Sequence, residues 1–287
     1  MDTLVQSVDH FIPEVRSLLA NFDFIPQWRL DDIMISYATE GGGVGPHFDY
    51  YDVFLIQLSG SREWKIGQHC DQNTKLRNHP DLKLLESFKQ TNVEQLNQGD
   101  MIYIPAGLAH WGTATSSDCI TASIGFRAPS YQDLVYASAL DISNQYPEHL
   151  RYSDTKIQQL DSYCLDNLGQ DIFEDIYRNL DKKHFIKSLR TSFAKEVTMP
   201  RHEELFYPVD IKLNDVIENL SRLQKHSNAR FAYISKGSSV ILFVNGHEIE
   251  TNLATALAIC HSDYNTNKEI DMDVVAELVR AGFLLLQ

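Results

Sequence analysis

The sequence predicts an α+β chain in three parts, and three observations lead there. Residues 1 to about 128 hold short apolar runs separated by Gly and Pro turns. From Tyr131 to about Leu205, apolar residues recur at three- and four-residue spacing, and the remainder alternates helical and hairpin patterns. At 287 residues the chain exceeds a typical single domain, so two or three units are expected. The first part opens with a helical stretch, Val5 to Leu19, and then reads as strands with turns at Gly41 to Pro46, Ser59-Gly60, His79-Pro80 and Pro105 to Gly107. In the middle part Leu134, Val135, Ala139 and Leu140, and later Ile172, Phe173, Ile176, Tyr177 and Leu180, form apolar helix stripes. Such stripes could cover the first part or pair with a second copy. Pro200 and Pro208 flank the next boundary. The last part reads as a helix from Leu213 to Leu223, a hairpin from Ala229 to Glu250, and helices Leu253 to Cys260 and Asp273 to Ala281. Its Asn245-Gly246 pair is a strong hairpin turn signal, with a second turn at Lys236-Gly237. The expected divisions are 1–129, 130–208 and 209–287.

Two stretches of the first part, Gly41 to Asp49 (GGGVGPHFD) and Gly99 to His110 (GDMIYIPAGLAH), carry most of the chemistry. In an extended strand, His47 and Asp49 at i and i+2 point to one side while Phe48 points to the other. His110 follows a Pro-x-Gly turn (Pro105, Gly107) that re-aims the chain after the apolar run Met101 to Ile104. Two His and one carboxylate on one side of a metal leave other positions open, the arrangement of non-haem Fe(II) oxygenases. Taken singly, His47 and Asp49 could equally cap or pair in a strand, and His110 could be a packed core histidine. The spacings resemble the two cupin motifs: Gly41, five residues, His47-x-Asp49 and then Gly60 for the first, and Gly99, five residues, Pro105-x-Gly107-x-x-His110 for the second. Where many metal cupins place a fourth ligand, this chain has Val53 and Phe54, and Ala114 stands where an Asn often follows the second motif.

Beyond Ser59-Gly60, the segment Arg62 to Ile66 alternates, which places Arg62 on the face of Trp64 and Ile66. An isolated charge in a low-dielectric barrel is costly, and a guanidinium fork matches a carboxylate bidentately. A small diacid that chelates the metal at one end and reaches Arg62 at the other would satisfy both groups, and 2-oxoglutarate fits. Alternatively Arg62 snorkels to the rim beside Trp64. Tyr50, Tyr51 and Asp52 follow the ligand pair and could line a substrate entrance, with Asp52 a partner for a substrate guanidinium. The tyrosines could equally be core residues with a wet hydroxyl. The histidines His69, His79, His226 and His247 sit near turns or charged residues and are expected to face solvent.

From Trp28 to Arg127 the segments WRLDDIMIS, GGGVGPHFDYYDVF, REWKIG, YIPAGLAH and SIGFRAP resemble the bacterial ribosomal oxygenases. These are JmjC-type cupins that hydroxylate an arginine side chain of a large-subunit ribosomal protein with Fe(II), 2-oxoglutarate and O₂. The resemblance implies a double-stranded β-helix (a cupin or JmjC jelly roll) followed by a helical dimerisation region and a C-terminal winged-helix-like domain. It further implies that His47, Asp49 and His110 hold iron, that Arg62 holds the distal carboxylate of 2-oxoglutarate, and that Ser36, Thr121 and Ser123 line the same pocket. The family carries a longer segment ahead of the position where this chain begins, so the catalytic domain reads as N-terminally short. Other classes remain open on the residues alone: a JmjC-type hydroxylase of histidine or asparagine, a small-molecule metal cupin enzyme, or a non-catalytic binding protein.

Composition bounds the partners. The net charge of −14 disfavours contact with a phosphate backbone and favours basic partners such as a ribosomal protein. Between Val209 and Gln287 there are 7 Lys and Arg against 10 Asp and Glu, the wrong sign for a DNA-binding winged helix. No apolar stretch approaches the roughly 20 residues needed to cross a bilayer, and the N-terminus lacks a basic segment followed by an apolar one, which predicts a cytoplasmic protein. The cysteines Cys70, Cys119, Cys164 and Cys260 contain no C-x-x-C pair, which argues against a disulfide framework or a structural zinc site.

Overall fold

A computed structural model describes residues 2–79, 83–144, 146, 148–149, 151, 182–200, 206–236, 239–264 and 269–286. The chain divides into two compact units, Met1–Ala128 with Arg201–Tyr207 and Lys225–Ala229, and Pro129–Pro200 with Pro208–Gln224 and Arg230–Gln287.

Among the described residues the first unit contains the strands β1 (Asp2–Val5), β2 (Leu30–Ala38), β3 (Asp52–Ser59), β4 (Ser61–His69), β5 (Asn92–Asn97), β6 (Met101–Ile104), β7 (Leu108–Ala114) and β8 (Cys119–Phe126). They form a five-stranded sheet in the order β1-β2-β8-β3-β6 and a three-stranded sheet in the order β5-β4-β7. The jelly-roll arrangement follows from period-two alternation. In β3, Val53 and Leu55 turn inward to meet Trp64, Leu96 and Ile104. Phe54, Ile56 and Leu58 turn outward and are covered by Val15, Leu18, Leu19 and Phe22. That covering segment is where the chain departs from expectation. Instead of one helix over Val5 to Leu19, β1 reaches Val5, helices Val8–Phe11 and Pro13–Arg16 follow, and a 3₁₀ segment runs over Ser17–Phe22. Pro13 restricts the residue before it, and Ile12 is accordingly extended, with φ −121°.

Two local features tie the sheets together. Gly43 runs against the second sheet, where a Cβ would collide with the Gly112 carbonyl oxygen, so glycine at this position is a close-approach requirement. Asp52, at the start of β3, accepts a hydrogen bond from the Tyr103 hydroxyl of β6 at 2.7 Å and pairs with Arg29, just ahead of β2, at 2.7 Å. Burial pushes the Asp52 carboxyl up, but the Tyr103 and Arg29 hydrogen bonds outweigh it and hold the group below its ordinary value.

In the second unit the helix Tyr131–Ser143 begins on a capping box between Ser130 and Asp133 and packs against the helix Lys182–Thr198, with Ser188 donating to Asp141 at 2.6 Å. Strands β10 (Phe231–Lys236), β11 (Ser239–Val244) and β12 (His247–Thr251) form an antiparallel sheet, and β9 (Leu223–Lys225) pairs with β13 (Leu284–Leu286). Helices Leu253–His261 and Met272–Arg280 close a core around Leu242, Val244, Ile259, Val275 and Leu278. The helix expected over Leu213 to Leu223 stops at Glu218, because Asn219 leaves helical geometry at φ −112° and its side-chain amide donates back to the Asp215 carbonyl. Leu223 then enters the core as the first residue of β9. Ile172 to Leu180 lie outside the described residues, and no described helix is long and apolar enough to cross a membrane.

These features generate two predictions. Gly43→Ala should lower unfolding free energy by about 1–3 kcal/mol in urea titration, since backbone rather than a flexible side chain must give way. Asp52→Asn should cost about 1 kcal/mol at neutral pH, a value limited by partial exposure. Because the native carboxyl is depressed, its contribution is complete above the unfolded value of about 4 and is lost as pH falls through the native one. The difference between the two proteins in urea should therefore close on acidification.

Candidate metal centre and adjoining cavity

The site is built on a backbone bridge between two segments distant in sequence. The His47 N–H donates to the His110 carbonyl at 3.0 Å, and the His110 N–H donates to the His47 carbonyl at 2.9 Å. Directly opposed residues in such a bridge carry their side chains on one side. The Pro105-x-Gly107 turn docks on the same segment, with the Gly107 N–H donating to the Asp49 carbonyl at 2.7 Å. His47 and Asp49 thus converge with His110, although they lie outside any named strand and His47 makes only an isolated bridge, where a continuous extended strand was expected.

One ligand atom from each of His47, Asp49 and His110 lies within 4.8 Å of the others. Asp49 Oδ2 stands 4.0 Å from His47 Nε2 and 3.7 Å from His110 Nε2. Each histidine Nδ1 lies against a backbone carbonyl, Gly45 at 2.9 Å and Leu108 at 3.0 Å. A carbonyl only accepts, so each Nδ1 carries a hydrogen, which in the neutral ring leaves the Nε2 lone pair free to ligate. A metal-binding imidazole needs this tautomer and a hydrogen-bond acceptor behind its far nitrogen, and the two backbone carbonyls supply that acceptor. His110 is 3 % exposed, and burial, with His47 adding, pushes its pKa down to about 4, so the ring is neutral at neutral pH. The donor set of two imidazole nitrogens and one carboxylate oxygen suits a divalent transition metal and leaves coordination positions open toward a neighbouring cavity.

That cavity measures about 400 Å³ and is lined by Ser36, Asp49, Tyr51, Arg62, Thr121, Ser123 and Arg127 among others. The expected pocket residues Ser36, Thr121 and Ser123 all face it, as adjacent register positions of β2 and β8 require. Arg62 does not snorkel. Its side chain is 3 % exposed, its Nε donates to Cys119 Sγ at 3.3 Å, its guanidinium carbon stands 5.7 Å from the Trp64 ring, and its Nη2 is buried without a hydrogen-bond partner. An orphaned, buried, charged donor is costly and points to an anionic ligand not supplied by the chain. Asp2 is the neighbouring carboxyl. Both of its oxygens are buried without a hydrogen bond, and burial raises its pKa against the opposing pull of Arg62.

The expected substrate residues separate. Tyr51 lines the cavity with Arg127 at 4.8 Å over its ring, and burial, with the Asp49 charge adding, keeps its hydroxyl protonated. Tyr50 is 62 % exposed and stacks edge-on against Phe48. Asp52 is committed to Arg29 and Tyr103 and does not line the cavity, which corrects its expected role as a free guanidinium partner. Of the other histidines, His69, His79 and His247 are exposed, while His226 is half-buried against Phe206. Gln57, Cys119, Arg127 and Asp2 escaped the sequence reading. Only Gln57 carried a local signal, as a polar residue in the inward-facing slot that follows Val53 and Leu55.

Comparison with known proteins agrees with this geometry. Residues 17–134 match the JmjC domain. The chain is 43% identical over 211 residues to the "Ribosomal protein uL16 3-hydroxylase" of Escherichia coli, covering 70% of this chain and 53% of that protein. It is 40% identical over 146 residues to the "Probable ribosomal oxygenase" of Haemophilus influenzae, covering 50% of this chain and 36% of that protein. The chain therefore spans between about a third and a half of these relatives. Among solved structures, the E. coli ribosomal oxygenase YcfD in complex with cobalt and 2-oxoglutarate superposes with TM-score 0.74 at 26% identity, covering 100% of this chain and 78% of that one. Residues 17–134 thus carry a JmjC domain, and the chain is similar in sequence and fold to proteins named as ribosomal oxygenases.

Proposed function

We propose that the chain is an Fe(II)- and 2-oxoglutarate-dependent dioxygenase that hydroxylates an arginine side chain of a large-subunit ribosomal protein. The observation that carries this reading is the orphaned Arg62 Nη2, buried in the cavity onto which the His47, Asp49 and His110 ligand atoms open. The named activity of the E. coli relative supports the ribosomal target. The net charge of −14 supports a basic one.

In this reading His47, Asp49 and His110 hold the iron and Arg62 binds the distal carboxylate of the co-substrate. Ser36, Thr121 and Ser123 line the channel between them, and Tyr51 borders the substrate. When bound, metal, co-substrate and O₂ supply the oxidant that replaces a C–H hydrogen with hydroxyl as 2-oxoglutarate becomes succinate and CO₂. The chain's part is orientation and exclusion of water. The Gly45 and Leu108 carbonyls hold both imidazoles in the ligating tautomer. The neutral state of His110 keeps its lone pair available to metal. The apolar wall of Val53, Leu55 and Trp64 keeps the oxidising centre dry.

The rest of the chain serves this chemistry as accessory modules. Residues 130–208 form a dimerisation region, a reading supported by the exposed Tyr131, Val135, Tyr136 and Leu140 of one helix. Residues 209–287 form a winged-helix-like docking domain, supported by its helices flanking β10–β12. The protein works in the cytoplasm.

The test is O₂-dependent succinate release by the Fe(II)-loaded protein, with mass spectrometry of arginine-containing peptides from large-subunit ribosomal proteins. Succinate release coupled to one oxygen gained on arginine is expected. Oxygen gained on histidine or asparagine would reassign the target, and no turnover with iron bound would overturn the reading. His110→Ala should abolish stoichiometric Co(II) binding. Arg62→Met should weaken 2-oxoglutarate binding about a hundredfold, the worth of a bidentate charge-assisted contact.

A further inference from the structure

A receptor for a carboxylate needs more than a guanidinium. The side chain has several rotatable bonds and five N–H donors, and it binds tightly only if the unused donors already face the ligand. Pinning the near edge of the fork achieves this, provided the pin does not neutralise the charge meant for the ligand. In this chain the near edge is Nε, and it donates to the sulfur of Cys119 at 3.3 Å.

Cys119 is itself held. Its sulfur also accepts from Gln57 Nε2 at 3.3 Å, and the same amide nitrogen donates to the Ser59 carbonyl at 2.7 Å. The other end of Gln57 accepts from the Thr121 hydroxyl at 3.0 Å. These partners leave the amide one orientation, with its NH₂ toward Ser59 and Cys119 and its oxygen toward Thr121. Every member is buried: Gln57 and Cys119 are 0 % exposed, Thr121 1 % and Arg62 3 %. The floor beneath is the methyl pair Ala38 and Ala114, which clusters with Cys119 and offers no competing polar group. A thiol is large, polarisable and a weak, neutral acceptor. A carboxylate in its place would pair with the guanidinium fully, whereas sulfur directs Nε without adding a charge. The Asp2 carboxyl acts on Arg62 from nearby but makes no hydrogen bond, so Nη2 stays available to a ligand.

Resting on the reading of Arg62 as the diacid anchor, we propose that Cys119, braced by Gln57, is a positioning residue that presets the Arg62 fork and thereby sets affinity for the distal carboxylate of the co-substrate. Such a role affects a ligand that reaches Arg62 and spares one that only chelates the metal.

The experiment is calorimetric titration of Mn(II)-loaded full-length protein with 2-oxoglutarate and, separately, with oxalate, which chelates but has no distal carboxylate. Cys119→Val should weaken 2-oxoglutarate about tenfold, the worth of one hydrogen bond to a charged group, and leave oxalate within about twofold. Cys119→Ser, whose hydroxyl can still accept from Nε, should stay within about threefold of the parent for both ligands. Cys119→Ala serves if the valine variant does not fold, with the same split expected. Equal weakening of both ligands, or no change in either, would overturn the proposal. Arg62→Met separates the two layers. If it binds 2-oxoglutarate as the parent does, the anchor reading itself falls. If it loses the diacid while Cys119→Val and Cys119→Ala do not, only the role of Cys119 falls.

Discussion

Two backbone hydrogen bonds, exchanged between His47 and His110, are the constraint on which the site depends. They join a loop ahead of β3 to the third residue of β7 and force two imidazoles onto one side with ring centres 4.3 Å apart. Everything near the bridge is arranged to permit it. Gly43 lets the incoming loop lie against Gly112, Gly107 ties the second turn to the Asp49 carbonyl, and the Gly45 and Leu108 carbonyls select which imidazole nitrogen faces the centre. The main-chain bridge fixes the spacing of the two backbone segments, and the Nδ1 contacts with the Gly45 and Leu108 carbonyls hold the imidazole rotamers.

The second organising fact is electrostatic. Arg62 is a buried charge with an unsatisfied donor, and such groups persist only where a ligand or function compensates them. The chain meets part of the cost with Cys119, the Trp64 ring and the nearby Asp2 carboxyl, none of which reaches Nη2 by a hydrogen bond. Arg127, by contrast, has the Asp31 carboxylate at 3.2 Å and the Tyr51 ring, and Arg29 has Asp52 at 2.7 Å from its Nη2, although the Arg29 Nε is buried without a hydrogen-bond partner. What separates framework from receptor is a carboxylate in ion-pair contact: Arg127 and Arg29 each have one within the chain, and Arg62 has none among the described residues.

Much of this was legible in the residues. His47, Asp49 and His110 were readable because glycine and proline at fixed offsets leave few backbone paths, and Arg62 because strand alternation puts it among Trp64 and Ile66. The pocket hydroxyls Ser36, Thr121 and Ser123 follow from the resemblance and from the register of β2 with β8. What was not legible depends on pairing across strands. Asp2, Ala38 and Cys119 share one row only because β1 pairs with β2 and β2 with β8, a fact absent from any local pattern. Asp52 misled for a related reason. Closeness in sequence to the ligand pair suggested the cavity, but neighbours from β6 and from the segment before β2 claim its carboxylate. In the N-terminal segment apolar spacing suggested one helix, and the restriction imposed by Pro13 prevailed.

We propose that three side chains hold a metal with adjacent open positions while Arg62 captures the far end of a 2-oxo diacid. Anaerobic visible absorption of the Fe(II)-loaded protein on addition of 2-oxoglutarate tests it most directly, since bidentate chelation of ferrous iron by a 2-oxo acid produces a charge-transfer band. The band should develop to one equivalent and require His47, Asp49 and His110. A colourless titration with iron demonstrably bound would contradict it.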